Sequence, residues 1–213
     1  MLRSSKSEEN MQYSKIFNYK GLIFDLDGTL INSMPYHAKA WKQVANEHGF
    51  DIDTQDIYAM GGSSSLDIAR HYKNLGFPVG DEYAYVQRKI AIYKSNIEHI
   101  QIIKNTFEVL KEAKERGIKT AIGTGTRTEN AHLILNKLDI AKYVDVLVTA
   151  DDVKRHKPNP DTFEKAALKM DLKNYECLVF EDGQLGVRAA INGGFDCVEV
   201  KDDDFINYFE IDR

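Results

Sequence analysis

Short apolar runs alternate with amphipathic segments along most of this chain. Between the later runs, apolar residues recur at helical spacing, for example Phe107, Leu110 and Ala113. Strands that alternate with helices predict a mainly parallel sheet with helices on both faces. We therefore expect an α/β fold with a Rossmann-like three-layer α/β/α core. The runs that predict its buried strands are residues 20–25, 118–123, 144–148, 178–180 and 197–200.

Start signals accompany three of the predicted core helices. The spacings Asn105-x-x-Glu108 and Thr126-x-x-Glu129 resemble capping boxes, and Asn159 followed by proline suits the first residues of a third helix. We interpret Thr126 as a helix cap only.

The segment between the first two strands has no strand pattern. It predicts helices near 38–48, 66–75 and 83–97, and the sequence Gly-Gly-Ser-Ser-Ser at 61–65 interrupts them. A helical insertion that directly follows a strand in the sequence is a candidate lid. The predicted division is a flexible leader at 1–18, a catalytic core at 19–32 and 100–213, and a helical cap domain at 33–99.

Composition narrows the functional classes. The 213 residues carry a net charge of −5, which argues against a nucleic-acid partner. The sequence has no apolar run of about 18 residues, so we expect no membrane association. Cys177 and Cys197 lie in or beside strand-like runs without C-x-x-C spacing, so they are expected to be buried free thiols in a cytoplasmic protein.

The first strand is followed by Asp25-Leu26-Asp27-Gly28-Thr29. Two carboxylates in this position can provide a nucleophile, a general acid/base and ligands for a divalent cation. Asp and Gly are also common in surface turns. A calcium loop is excluded by spacing, because Leu30 and Tyr36 stand where such a loop needs Gly and Glu.

Polar residues also follow the later strands. Thr124 precedes a helix start, Lys157 precedes a proline, and Glu181 and Asp182 form a second acidic pair. Each could belong to an ordinary loop. Because ligands bind beyond the carboxyl ends of parallel strands, we expect these residues to converge with Asp25 and Asp27 on a site for phosphate and a cation.

These four motifs resemble those of the haloacid dehalogenase superfamily, and the helical insertion resembles its β-phosphoglucomutase-like branch. Residues 150–163 and 123–126 are most similar to small bacterial sugar phosphatases of the fructose-1-phosphate/6-phosphogluconate type. The resemblance implies a small phosphate ester as substrate, Mg²⁺ as cofactor and a monomeric enzyme. It implies that Asp25 attacks phosphorus and that Asp27 moves protons and binds Mg²⁺ through its carbonyl. It also implies that Asp182, with Glu181 beside it, completes the metal site, while Thr124, Gly125 and Lys157 hold the phosphoryl group.

The cap offers weaker candidates for substrate contacts: His37, Gly62, Ser63 and Lys89. His37 is equally suited to packing, and Lys89 is interpreted first as a solvated helix charge. Asn32-Ser33 replaces the Asp-Ser common in the family, and Asn still suits a helix or turn start.

The cap loop lacks the arginine usual in β-phosphoglucomutases. We therefore expect a Mg²⁺-dependent sugar phosphatase, with a hexose-phosphate mutase using the same two aspartates as the alternative. Two further functions are disfavoured. A haloacid dehalogenase needs no second Asp in the first motif, so Asp27 argues against it. A non-catalytic sugar-phosphate sensor would not need the complete set of catalytic motifs.

Overall fold

The computed structural model describes residues 15–212. Within this range a six-stranded sheet has the order β3-β2-β1-β4-β5-β6. The first five strands are parallel, and β6 is antiparallel to β5. The α/β prediction is confirmed. The strands are Gly21–Phe24 (β1), Lys119–Gly123 (β2), Val146–Val148 (β3), Cys177–Glu181 (β4), Asp196–Lys201 (β5) and Asp204–Phe209 (β6).

Helices cover both faces of the sheet and also form the insertion after β1. Their bounds are Met34–Glu47 (α1), Thr54–Ala59 (α2), Ser65–Asn74 (α3), Glu82–Lys94 (α4), Lys104–Glu115 (α5), Thr128–Lys137 (α6), Asp161–Lys169 (α7) and Gln184–Asn192 (α8). Successive strand side chains point to opposite faces, so β1 contributes Leu22 and Phe24 to the layer with α5 and α6. Its Ile23 packs in the layer with α7 and α8. The three-layer core is therefore present.

We call α1–α4 the cap helices. Three of them match the predicted segments, but α2 was missed because its six residues bury a single apolar side chain, Ile57. Strand β6 was missed as well, since all six of its residues are exposed or half-buried. The two connections to the core run side by side, with the Asn32 N–H donating to the Gln101 carbonyl at 2.8 Å.

The predicted helix starts were wrong by one or two residues. Helix α5 begins after Ile103, α6 after Arg127 and α7 after Pro160, and none of these residues makes a side-chain cap. Other partners, distant in the chain for Asn105 and local for Asn159, take the side chains that had suggested caps. For example, the Asn105 side chain donates to the Asp203 carbonyl at 2.6 Å.

Two predictions about the periphery have different outcomes. Most of the predicted leader lies outside the described residues, but Ile16 is buried in the core, so a flexible segment cannot extend to residue 18. Cys177 and Cys197 are buried free thiols, as expected. No helix among residues 15–212 is long and apolar enough to cross a membrane.

Candidate active site

The carboxyl ends of β1 and β2 face the cap helices across a cavity. The side chains that line it come from both halves of the molecule, and they include most of the predicted site. The predicted residues found there are Asp25, Asp27, His37, Gly62, Ser63, Lys89, Thr124 and Gly125. The remaining three lie outside this lining: Lys157 contacts Asp25 and Glu181, and Asp182 lies against Gly28.

Lys157 is held between two carboxylates. Its Nζ donates to Asp25 Oδ1 at 2.6 Å, to Glu181 Oε1 at 2.7 Å and to the Gly123 carbonyl at 3.2 Å. An ammonium group has three donors, and all three are used. The Lys157 side chain is only 1% exposed. The cation is therefore fixed beside Asp25.

Negative charge exceeds positive charge at this end of the sheet. Burial raises the pKa of Asp25 to about 8; Lys157 opposes that shift, whereas Glu181 and Asp27 add to it. Burial also raises the pKa of Asp182, again with help from Glu181 and Asp25. Asp25 and Glu181 thus share one buried ammonium with Asp182 close by, and a further cation there would favour the ionised forms of these carboxylates.

Asp27 has the opposite environment. Its Oδ1 accepts from Ser33 Oγ at 2.6 Å and contacts His37 Nε2 at 3.1 Å, while its Oδ2 accepts from Thr126 Oγ1 at 2.6 Å. Burial raises the pKa of Asp27, but His37, Ser33 and Thr126 outweigh it and hold that pKa below its ordinary value. The two aspartates of the motif therefore differ in their preferred protonation state.

Sequence reasoning missed two of these donors. Thr126 was interpreted as a helix cap only, which was wrong because its hydroxyl donates to Asp27. Ser33 stands at the N-cap position of α1, yet its side chain makes no cap bond and donates to Asp27 instead. A hydroxyl residue just before each helix was the available signal, but the sequence cannot show which partner it selects.

The interpretation of Lys89 as a solvated helix charge was also wrong. Lys89 is 2% exposed, and its Nζ lies 2.6 Å from His37 Nδ1. A protonated amine has no lone pair, so the ammonium donates and Nδ1 accepts. The proton of His37 is then on Nε2, which faces Asp27. A hydrogen-bonded chain runs from Lys89 through His37 to Asp27.

Aromatic rings enclose this chain. Lys89 Nζ lies 5.1 Å from the ring centroid of Trp41 and 5.2 Å from that of Tyr93. The Tyr93 ring also stacks on His37 at 4.0 Å. Burial lowers the pKa of Lys89 to about 7, with Asp27 opposing the shift, and it lowers the pKa of His37 together with Lys89.

Glycines allow the cap loop to approach the core. A Cβ on Gly125 would lie 2.7 Å from the Gly62 carbonyl oxygen, and one on Gly183 would lie 3.0 Å from the Gly61 oxygen. Neither glycine has a positive φ. Gly62 does have one, φ +88, and a Cβ there would lie 3.1 Å from Lys157 Cδ. Close contact with the cap, rather than turn geometry, therefore requires glycine at 125 and 183.

The acidic residues differ in their capacity to bind a metal. Both Glu181 oxygens are engaged, with Lys157 and with the Gly183 N–H at 2.7 Å. Asp182 accepts from Thr29 Oγ1 at 2.9 Å through Oδ1, and no protein donor to Oδ2 is found in the described part. No three acidic, His or Cys side chains among residues 15–212 form a ready metal cage. Mg²⁺ suits such a site, since it commonly takes one or two carboxylates with phosphate oxygens and water.

The family model for haloacid dehalogenase-like hydrolases matches residues 22–200. The chain belongs to this family. A fructose-1-phosphate phosphatase, YqaB, from Escherichia coli is 36% identical over 187 residues, which cover 86% of this chain and 97% of the relative. A β-phosphoglucomutase from Bacillus subtilis is 27% identical over 190 residues, with 85% and 83% covered.

Solved structures support the same placement. The crystal structure of β-phosphoglucomutase from Clostridium difficile superposes with a TM-score of 0.79 at 26% identity, covering 86% of this chain and 85% of that one. The relatives of similar length thus include both a phosphatase and a mutase. The residues that line the cavity are therefore the evidence for choosing between these two reactions.

Proposed function

We propose that this protein is a Mg²⁺-dependent phosphatase that hydrolyses small sugar phosphates through an aspartyl-phosphate intermediate. The observation that carries the proposal is the contrast between Asp25 and Asp27. Asp25 lies 2.6 Å from a buried lysine, and Asp27 accepts hydrogen bonds from two hydroxyls and contacts an imidazole. The neighbours of the two carboxylates suit separate roles: the Lys157 cation beside Asp25 favours its ionised, nucleophilic form, and the chain from Lys89 through His37 gives Asp27 a source of protons.

In the first step an Asp25 oxygen attacks phosphorus, and the bond to the sugar oxygen breaks. Lys157 lies where it can neutralise charge on the phosphoryl oxygens, and Glu181 keeps the ammonium in place. Thr124 is 1% exposed, and its Oγ1 accepts the Thr126 N–H at 3.0 Å, which orients the loop after β2 toward the same point. Positioning and electrostatics supply most of the rate in phosphoryl transfer.

Asp27 acts as the general acid in the first step and as the general base in the second. The departing sugar oxygen needs a proton, and the chain from Lys89 through His37 can deliver one to Asp27, which passes it on. In the second step Asp27 removes a proton from the water that attacks the aspartyl-phosphate. Inorganic phosphate leaves, Asp25 is regenerated, and the proton can return along the same chain.

The charge at the rim supports a role for Mg²⁺. We propose that the Asp25 and Asp182 carboxylates and the Asp27 carbonyl would hold the ion, with Glu181 acting through Lys157. When bound, Mg²⁺ supplies positive charge that offsets repulsion between Asp25 and the phosphate.

The lining of the cavity favours a phosphatase over the mutase alternative. A hexose-phosphate mutase must also hold a second phosphate, which calls for a second cation. None of the cavity-lining residues in the described part is an arginine, and Lys89, the one lysine among them, donates to His37. Apolar side chains such as Ile57, Met60 and Ile68 line the cap side instead. A single phosphate on an uncharged sugar fits this lining.

A panel of sugar phosphates tests the proposal. Each compound is assayed for free phosphate and for isomerised sugar phosphate, with Mg²⁺ and with EDTA. We expect phosphate release that EDTA abolishes and no isomer. Isomer formation with little free phosphate would establish the mutase, and turnover no greater than that of Asp25→Asn across the whole panel would exclude both.

A further inference from the structure

Lys89 lines the cavity, and its amine has a different environment from that of an ion-paired lysine. Lys89 is buried, its hydrogen bond goes to the His37 ring, and no Asp or Glu among the described residues lies within ion-pair distance of it. Lys157, by contrast, is held by two carboxylates at 2.6 and 2.7 Å. A buried lysine without a counter-ion loses its proton readily and is then a nucleophile.

We propose that Lys89 reversibly captures phosphate esters that carry an aldehyde or ketone, by forming an imine with the carbonyl carbon. This inference rests on the proposed function only in that the loop Thr124–Gly125 and Lys157 hold the phosphate. The ligands are open-chain aldose and ketose phosphates and other phosphorylated aldehydes. Alditol phosphates, which lack a carbonyl group, are not captured.

The spacing of the cavity suits such a ligand. Two hydrogen bonds, of 2.6 and 3.1 Å, and one imidazole ring separate Lys89 Nζ from the Asp27 carboxylate beside the phosphate loop. The amine, the imidazole and the phosphate loop all line the same cavity. A carbonyl a few bonds from a bound phosphate can therefore meet the amine without leaving the site.

The reaction is balanced without any co-reactant. The Lys89 ammonium passes one proton to His37 Nδ1, and the free amine adds to the carbonyl carbon to give a carbinolamine. The two hydrogens left on nitrogen depart with the former carbonyl oxygen as water, and a carbon–nitrogen double bond forms. No oxidation or reduction occurs, and hydrolysis of the imine restores both partners.

The groups around the Lys89 amine have opposing effects on its pKa. Burial favours the neutral amine and brings the pKa of Lys89 to about 7, while the Asp27 carboxylate favours the ammonium. The rings of Trp41 and Tyr93 also favour the cation, at 5.1 and 5.2 Å. His37 Nδ1 accepts the proton that the ammonium gives up.

Reductive trapping in the unaltered protein tests this inference. Pyridoxal 5′-phosphate, a phosphorylated aldehyde, is added at low molar excess, borohydride reduces any imine, and mass spectrometry maps the labelled peptides. We expect Lys89 to be labelled before the exposed Lys104 and Lys137, and inorganic phosphate with Mg²⁺ to protect it. Labelling confined to exposed lysines, or labelling of Lys89 that phosphate does not reduce, would overturn the inference.

Variants provide a second measurement. Lys89→Arg keeps a cation but cannot form an imine, so the labelled cavity peptide should disappear. Lys94→Arg, on the same helix and partly exposed, is the matched control and should leave that peptide unchanged. The test is independent of turnover: labelling of Lys89 in a protein without phosphatase activity refutes only the proposed function, and an active phosphatase without labelling refutes only this inference.

Discussion

The two walls of the cavity are built on different principles. The core wall holds its lysine with carboxylates, since Lys157 donates to Asp25 and Glu181 and all three are buried. The cap wall holds its lysine with rings, since Lys89 contacts His37 and faces Trp41 and Tyr93. Carboxylate partners raise the pKa of Lys157 although burial lowers it, whereas burial prevails at Lys89.

The difference separates a fixed charge from a mobile proton. Lys157 stays protonated and provides a permanent positive charge beside Asp25. Lys89 has a pKa near neutrality and a path to Asp27, so it can give up and regain a proton during turnover. In the proposed reaction, the same residue type would thus serve phosphate binding on one wall and proton supply on the other.

The largest effect is expected from the core wall, on substitution of Asp25→Asn. An amide oxygen cannot form the phosphoryl bond, so turnover should fall by about four orders of magnitude or more. Phosphate release measures this effect, and circular dichroism checks the fold. Asp171→Asn is the matched control, because Asp171 is exposed at φ 56, a conformation that Asn also tolerates. Substantial activity in Asp25→Asn would remove this residue as the nucleophile.

Lys89→Met tests the cap wall. Without the proton chain, kcat for sugar phosphates should fall by about 10- to 100-fold. The loss should be much smaller for p-nitrophenyl phosphate, whose leaving group needs no proton. Thermal melting should show an unchanged or higher Tm, since a buried cation without a carboxylate partner is removed. Equal losses on both substrates would mean that Lys89 does not supply protons.

Gly125→Ala tests the contact between the walls. A methyl group 2.7 Å from the Gly62 carbonyl would push the cap loop away from the core. We expect kcat/KM for sugar phosphates to fall about tenfold, an effect on the order of 1.4 kcal/mol. Gly183 faces Gly61 and does not touch the phosphate loop. Gly183→Ala should therefore lower kcat/KM for sugar phosphates by a similar factor. If only Gly125→Ala impairs turnover, its effect lies in phosphate binding and not in the cap contact.

The smallest effect concerns stability and pH. Asp25 binds its proton more tightly in the folded protein than in the unfolded chain, so the metal-free free energy of unfolding should decrease as pH rises from about 4 to about 8. Mg²⁺ should therefore raise Tm by a few degrees at pH 8 and less at pH 5. Asp182→Asn should raise the metal-free Tm at pH 8 and remove most of the Mg²⁺ effect. A Mg²⁺ shift of equal size at both pH values would contradict this account.

Different physical information underlies the predicted and the missed parts of this structure. The strands that carry Asp25, Thr124 and Glu181 were predictable because buried parallel strands are continuous apolar runs, and their ends meet at one edge. The helix caps at Asn105, Thr126 and Asn159 were not, because a polar side chain near a helix end can bond to the helix, to a nearby loop residue or to a tertiary partner. The Thr126 hydroxyl donates to Asp27, a contact that no local sequence pattern indicates.

By itself, the sequence determined the α/β fold and the positions of the four motifs at strand ends, because hydrophobic periodicity and parallel topology are local properties with a general geometric consequence. Only the tertiary structure decided what surrounds each charge. It buried Lys89 between two rings, directed Ser33 and Thr126 to Asp27, and brought Gly62 against Gly125. The environment of an ionisable group depends on residues distant in the chain, so its chemistry is set by packing that the linear pattern does not contain.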